Sequence, residues 1–473
     1  MHPFMLTGLG SILALSSLVA QARKPRSPEV QEFVSVDAPV VALTHVRVID
    51  GTGAAARDDQ TVIIRGTKIE AVGPAGSVKT PPGAKVVDGT GHSVIPGLIG
   101  MHDHTFYTTH RRMVQSNFTA PRLYLAAGVT TIRTTGALEP YAELHLKKKI
   151  DGDEVPGPRL VVTGPYLTGP SDETADGMSR LDDAADARRV VAYWAEEGVT
   201  WMKFYTAVSR EAMKAAIEEG HKRGIKFTGH LCSVSHREAV SLGIDGVEHG
   251  MFANSDFDAT RKPDQCSPNV FKSFATLDVN GPAAQATFKE MVARNVSLSS
   301  TMAVFEPSVV GRGEIDQRTL DALSPDARGE VIATKDASSK GPGLPIEMLR
   351  KGMAYERAFV KAGGLLTSGV DPTGIGVVLF GYGDQRNIEL LVESGFSPVE
   401  AIQIGSANGA KALGIFAEVG SIAVGKRADL VLIKGNPAAK ISDLRQVVTV
   451  FKDGVGYDSA KLAAAVKGQI GIR

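Results

Sequence analysis

Apolar and polar positions change rhythm three times along this chain. From residue 40 to residue 87 the apolar residues come in short β-branched runs, at 40–49, 61–64, 69–72 and 84–87. Gly51, Gly53, Gly66, Gly73-Pro74, Gly76 and Pro81-Pro82-Gly83 punctuate them. Runs of this kind bounded by turn formers predict the strands of a small β domain. The same style returns near the C-terminus, at 428–433 and 447–452. Two separated β segments predict one β-sandwich built from both ends, over 40–96 and 419–460.

Between them, apolar strands alternate with helical periodicity, clearest at 210–223 and 397–413. Eight strand candidates stand out, at 94–100, 129–134, 160–164, 199–205, 226–230, 246–249, 296–300 and 364–370. Repeated strand–helix units argue a parallel sheet, and eight of them argue a closed (β/α)8 TIM barrel over 97–418. An open doubly wound sheet is the alternative, but no GxGxxG turn follows the first strand, so dinucleotide binding has no support. The connections at 251–295 and 302–361 are too long for simple turns. The second carries Gly311, Gly313 and Gly341-Pro342-Gly343. They are expected either to shape the mouth of the barrel or to decorate an oligomer contact. Residues 23–39 read as a linker and 461–473 as a C-terminal tail.

Composition narrows the partners. The 473 residues are 43% hydrophobic and 22% charged with zero formal net charge, and no long basic or acidic run occurs. Nucleic acid and anionic membrane surfaces are therefore not expected partners, and a small molecule is; a homo-oligomer stays open. Residues 6–20 are apolar and precede Ala20-Gln21-Ala22, the A-x-A form of a signal-peptidase site. The expectation is a signal peptide over 1–22, a secreted or periplasmic protein, and no stable membrane insertion after cleavage. Against it, the first residues carry no Lys or Arg, so a retained N-terminal anchor is the competing expectation. The two cysteines, Cys232 and Cys266, leave a disulfide and two free thiols equally open.

Candidate chemistry lies at the ends of the predicted strands. In Pro96-Gly97-Leu98-Ile99-Gly100-Met101-His102-Asp103-His104, the two histidines point the same way in an extended chain, because side chains alternate. Lys203 falls near the end of the fourth strand, His230 ends the fifth, His249 ends the sixth, and Asp371 follows the eighth. The C-terminal strand ends of a barrel converge on one mouth. Four imidazoles and a carboxylate are more donors than one ion with an open position requires. A lysine joins such a site only when neutral, or when carbon dioxide converts it to a carbamate; burial makes that feasible by depressing its pKa. Singly, each residue has an ordinary structural role; six together point to a metal centre. Tyr107, Arg133, Tyr166 and Tyr205, at the ends of the first four strands, are candidates for substrate contact, with barrel packing an equal account of the tyrosines. His236 and Arg237, just after the fifth strand, either bind a substrate carboxylate or belong to solvated surface. His110, His145 and His221 have no comparable placement.

These motifs together resemble the amidohydrolase superfamily, over about residues 40–458, including the segment Gly420-Ser421-Ile422-Ala423-Val424-Gly425-Lys426-Arg427-Ala428-Asp429-Leu430. Within it the chain looks closest to the imidazolonepropionase-like group, which also holds prolidase-type dipeptidases and ochratoxin-hydrolysing amidases. The resemblance implies that His102 and His104 hold the more buried ion with Asp371. It places the second ion on His230 and His249, with carboxylated Lys203 bridging the two. Zinc is the default from ligand type, and manganese or cobalt fit the same donors. True imidazolonepropionase is mononuclear and lacks the bridging lysine, so Lys203 points to the binuclear, amide-cleaving members.

The implied reaction is attack by a metal-bridging hydroxide on the C–N bond of a small dipeptide or N-acyl amino acid. Asp371 would serve first as general base and then as general acid. One rival is a lactonase or phosphotriesterase using the same binuclear site. Another is a non-catalytic relative keeping the fold for binding or assembly, against which the full ligand set speaks.

Overall fold

The computed structural model describes residues 25–109, 112–170, 176–341, 343–374 and 377–471. The signal peptide expected over 1–22 and His110 lie outside the described residues. Strands from both ends of the chain form one nine-stranded sheet. Its order is Val34–Val36, Val455–Asp458, Val447–Lys452, Leu430–Lys434, His92–Pro96, Val40–Val48, Arg57–Arg65, Lys68–Pro74, with Lys85–Asp88 paired to Val40–Val48. The seam between the two chain segments is antiparallel, pairing Leu430 with Pro96 and Lys434 with His92. Val41, Leu43, Val62, Ile64, Val94, Leu430 and Phe451 share one apolar cluster, so both segments are held by a common core. The expected small β domain is thus built from both ends of the chain, with its strands hydrogen-bonded in one sheet.

Two expectations at the ends need correction. The stretch expected as a linker holds a short helix, Pro28–Gln31, whose first turn is closed by the Ser27 hydroxyl accepting from the Val30 N–H at 3.1 Å. It also holds the edge strand Val34–Val36, paired to Val455–Asp458. The stretch expected as a tail begins within the helix Ser459–Ala465, and Leu462, Val466 and Ile470 are fully buried. Leu462 lies on the helix, Val466 caps it, and Ile470 beyond it bridges to Leu323, which is why this segment packs instead of trailing.

The barrel strands are β1 (Leu98–Asp103), β2 (Val129–Thr134), β3 (Arg159–Val161 and Thr163–Thr168), β4 (Trp201–Phe204), β5 (Lys226–Gly229), β6 (Gly246–Glu248), β7 (Ser297–Ser300) and β8 (Leu366–Ser368). Parallel pairing runs from β1 through β2 to β3, from β3 through β4 to β5, and from β6 through β7 to β8. The Asp245 N–H donates to the Phe227 carbonyl at 3.0 Å and joins β5 to β6. The Val370 N–H donates to the His102 carbonyl at 2.9 Å and closes β8 on β1. The result is a (β/α)8 barrel.

The first predicted strand is two. It breaks at Gly97, where His92–Pro96 leaves the sheet domain and Leu98–Asp103 enters the barrel. A Cβ on Gly97 would lie 2.0 Å from Thr130 Oγ1, so the chain passes β2 there without a side chain.

Helices flank the strands with caps visible in the sequence. Ser209 caps Arg210–Lys222, and Ser235 with Glu238 forms a capping box on His236–Leu242. Arg210–Lys222 buries Ala212, Met213, Ala216, Ile217 and Gly220, the face that the periodicity predicted. The two long connections are helical rather than open loops. The first contains Val270–Thr276 and Pro282–Ala293; the second contains Gln317–Ala322, Pro325–Lys340 and Ile346–Lys361. A disulfide joins Cys232 to Cys266, with Cα atoms 4.8 Å apart, tying the turn after β5 to the segment after β6. Among the described residues no helix is long and apolar enough to cross a membrane.

Candidate metal centre

The ends of β1, β4, β5 and β6 and the turn after β8 gather His102, His104, Lys203, His230, His249 and Asp371. Close backbone packing makes this gathering possible. A Cβ on Gly369 would sit 2.3 Å from the His102 nitrogen, so only glycine lets β8 approach β1 this closely. The Asp371 N–H also donates to the His102 carbonyl, at 2.8 Å. The turn leaves Asp371 at φ 57°, and His249 stands at φ 66°. Both are non-glycine residues in the left-handed region, which proteins tolerate chiefly where the surroundings enforce it.

Asp371 Oδ1 lies 3.0 Å from His104 Nε2 and 3.4 Å from His102 Nε2. Each of these three residues offers one ligand atom, all within 4.8 Å of one another. The ring of His249 is 4.5 Å from that of His102 and 4.5 Å from that of His230, centroid to centroid. Lys203 Nζ is 3.2 Å from His102 Nε2. Buried His249 Nε2 has no hydrogen-bond partner, although a buried polar atom is normally satisfied. An orphaned ring nitrogen beside a carboxylate and other imidazoles fits a divalent cation.

The protonation states agree with that fit. Burial lowers the imidazoles of His104 to about 4 and His230 to about 3, and holds His249 well below the ordinary value, so all three stand neutral and able to donate a lone pair. Burial also brings Lys203 down to about 8, against the opposing pull of Asp371 and Glu248. For Asp371, burial would raise the carboxyl, but facing His102 and His104 keep it well below the usual range.

Behind the ligands lies a charged network that sequence reasoning passed over. Glu248 Oε2 is 2.7 Å from His102 Nδ1. Its Oε1 accepts from the Thr228 hydroxyl and the Arg133 guanidinium. Arg133 also donates to the Met101 carbonyl and lies 4.6 Å over the Trp201 ring. His104 Nδ1 faces the Gly136 carbonyl at 3.1 Å, and His249 Nδ1 faces Thr301 Oγ1 at 2.8 Å. Each of these three histidines thus has its Nδ1 engaged and its Nε2 turned to the cluster, the usual way an outer partner aims a ligand.

A profile of the amidohydrolase family matches residues 93–456. The chain belongs to that family. It is similar in structure to a putative prolidase from Bifidobacterium longum, with 26% identity and a TM-score of 0.63 over 90% of this chain and 98% of that one. It is also similar to a Xaa-Pro dipeptidase crystallised with methionine in its active site, at 20% identity and TM-score 0.66, over 89% of this chain and all of the other. In sequence, 58 residues are 41% identical to a 5'-deoxyadenosine deaminase of Methanobrevibacter smithii. That stretch spans 12% of this chain and 13% of the deaminase.

The structure distributes the expected substrate contacts unevenly. Tyr166 and Tyr205 do reach the cluster: Tyr166 OH is 3.4 Å from His104 Nε2, and the Tyr205 ring is 5.3 Å from that of His230. Arg133 does not, because its guanidinium is fully buried on Glu248 inside the barrel. Tyr107 is buried in the wall against Phe380. His236 is buried at the start of its helix, and Arg237 pairs on the surface with Glu290 at 2.6 Å. His221 is paired with Asp245 at 3.0 Å, on the helix Arg210–Lys222. Glu248 had a signal in the sequence: a carboxylate inside an apolar barrel strand must find a buried partner. Phe305, whose ring is 6.0 Å from that of His249, sits in a connection that carried no such signal.

Proposed function

We propose that this protein is a binuclear metal-dependent hydrolase that cleaves the C–N bond of a small dipeptide or N-acyl amino acid. The observation that carries this reading is Lys203. A buried lysine whose Nζ lies 3.2 Å from a ligand imidazole, with a pKa brought down to about 8, is poised to react with carbon dioxide. The resulting carbamate would supply a shared anionic ligand between His102, His104 and Asp371 on one side and His230 and His249 on the other. Divalent cations held there, zinc by ligand type, supply Lewis acidity and water of lowered pKa.

The residues around that chemistry have separate tasks. Asp371 is the carboxylate that faces the Nε2 atoms of His102 and His104, and its side chain is 20% exposed, so it can meet both the attacking water and the leaving group. It would take the proton from the water and hand it to the departing amine. The prolidase bears the name of a peptide-bond hydrolase, which supports an amide over an ester. The A-x-A segment at residues 20–22 and the Cys232–Cys266 disulfide support a secreted or periplasmic location. The test is metal-reconstituted protein assayed against dipeptides, N-acyl amino acids, lactones and phosphotriesters. Amide turnover exceeding the other classes is expected; ester turnover with no amide cleaved would overturn the proposal.

A further inference from the structure

The side of the cluster that solvent reaches is not the side that the histidines of β1 occupy. His102, His104, Lys203 and His249 are buried, whereas Asp371, His230, Tyr205 and Phe305 are each part-exposed. Two of the four, Tyr205 and Phe305, are six-membered carbon rings, and they border the same pair of imidazoles. Rings follow one another as Phe305, His249, His230, Tyr205, with centroid separations of 6.0, 4.5 and 5.3 Å. Phe305 therefore borders the pair at His249, and Tyr205 borders it at His230.

Neither ring is a loose surface group. Phe305 stacks on buried Phe252 at 4.2 Å and 30°, and Tyr205 meets buried Tyr166 edge-on at 5.5 Å and 81°. The backbone adds to this on one flank: Phe305 ends the helix Met302–Phe305, directly after Thr301, which engages His249 Nδ1. Two fixed ring faces beside the reacting centre favour flat apolar groups, which they contact without ordering a flexible side chain.

Resting on the amide-hydrolase reading, we infer that Tyr205 and Phe305 select substrates carrying a flat apolar ring next to the scissile bond. A carbonyl placed beside His230 and His249 would have Tyr205 near one imidazole and Phe305 near the other, within reach of the substituents of the scissile bond. An amide with a benzoyl group or a phenylalanine side chain meets a preformed wall; one with only methyl and hydrogen substituents leaves both rings uncovered.

The test compares metal-reconstituted wild-type, Phe305→Ala and Tyr205→Ala proteins on N-benzoylglycine, N-acetylphenylalanine and N-acetylglycine. In parallel, calorimetry on the same proteins measures binding of phenylalanine and alanine. The wild type is expected to favour at least one ring-bearing amide over N-acetylglycine by about tenfold or more in kcat/KM. Each alanine variant should lower one of the two ratios about tenfold, and the ring-keeping variants Phe305→Tyr and Tyr205→Phe should restore it. Phenylalanine should bind more tightly than alanine, and lose that margin in at least one alanine variant. Amide turnover with no ring preference, or with ratios untouched by either alanine variant, would overturn this inference and leave the amide reading intact. If no amide turns over, the amide reading fails, and the binding arm still decides: equal binding of phenylalanine and alanine would overturn the ring selection.

Discussion

The Nδ1 of His102 and Oε2 of Glu248 are 2.7 Å apart, with both side chains fully buried in the barrel. An ionised carboxylate only accepts, so the ring nitrogen carries the proton and leaves Nε2 free for the cluster. Glu248 stays ionised because Arg133 and His102 overcome the burial that would raise its carboxyl. Glu248→Gln is expected to weaken metal binding about 10–100-fold, the usual size of an outer-partner loss. It also leaves the Arg133 guanidinium without a counter-charge, which costs about 3–5 kcal/mol of stability. Metal titration and urea denaturation read the two effects separately. Unchanged metal affinity would remove the aiming role from Glu248.

Lys203 makes a second expectation concrete. Protein prepared with two equivalents of metal and ¹³C-bicarbonate should show one labelled carbamate resonance. Lys203→Met should lose that resonance and retain less metal, because the shared anionic ligand is gone while both histidine sets remain. Retention of two ions by Lys203→Met would mean that the lysine is a neighbour and not a bridge.

How far the sequence could be read follows from which forces are local. The (β/α)8 barrel was legible because apolar strands alternate with helical periodicity, as at 210–223, where the helix Arg210–Lys222 forms. The six clustered residues were legible because barrel topology itself brings strand ends together. Arg133 was misplaced for the opposite reason. Whether a residue at a strand end points to the mouth or into the barrel depends on register against its neighbours, and Glu248, its partner, lies 115 positions away. The break at Gly97 was hidden because the strands on either side are equally apolar; only Thr130 across the gap requires it. The packed segments at 34–36 and 462–470 depend on partners far along the chain, which short-range periodicity does not report.

Asp371 combines contact with the imidazoles and access to solvent, and its φ of 57° fixes its direction. Asp371→Asn preserves the shape and one oxygen but cannot accept a proton. Turnover should fall about 10²–10⁴-fold, the usual range for loss of a general base or acid, while bound metal persists. Wild-type-like kcat in a variant with full metal content would exclude Asp371 from the proton transfer.

Glu356, on the helix Ile346–Lys361, offers a prediction about stability and pH. Its carboxyl is fully buried, neither oxygen has a hydrogen-bond partner, and Oε1 would lie 3.1 Å from a Cβ on Gly250. Burial raises its pKa from 4.5 to about 8, with the nearby Ser300 hydroxyl pulling weakly the other way. Below pH 4.5 folded and unfolded chains both hold this proton. Between 4.5 and about 8 only the folded chain holds it, so unfolding releases a proton and stability falls as pH rises. The slope is ~1.4 kcal/mol per pH unit for one such group. Glu356→Gln keeps the shape and removes the titration. The variant's stability, measured by denaturant unfolding from pH 5 to 8, should decline less steeply than the wild type's by about that slope. Parallel pH profiles for the two proteins would show that Glu356 is already ionised and paired in the folded state.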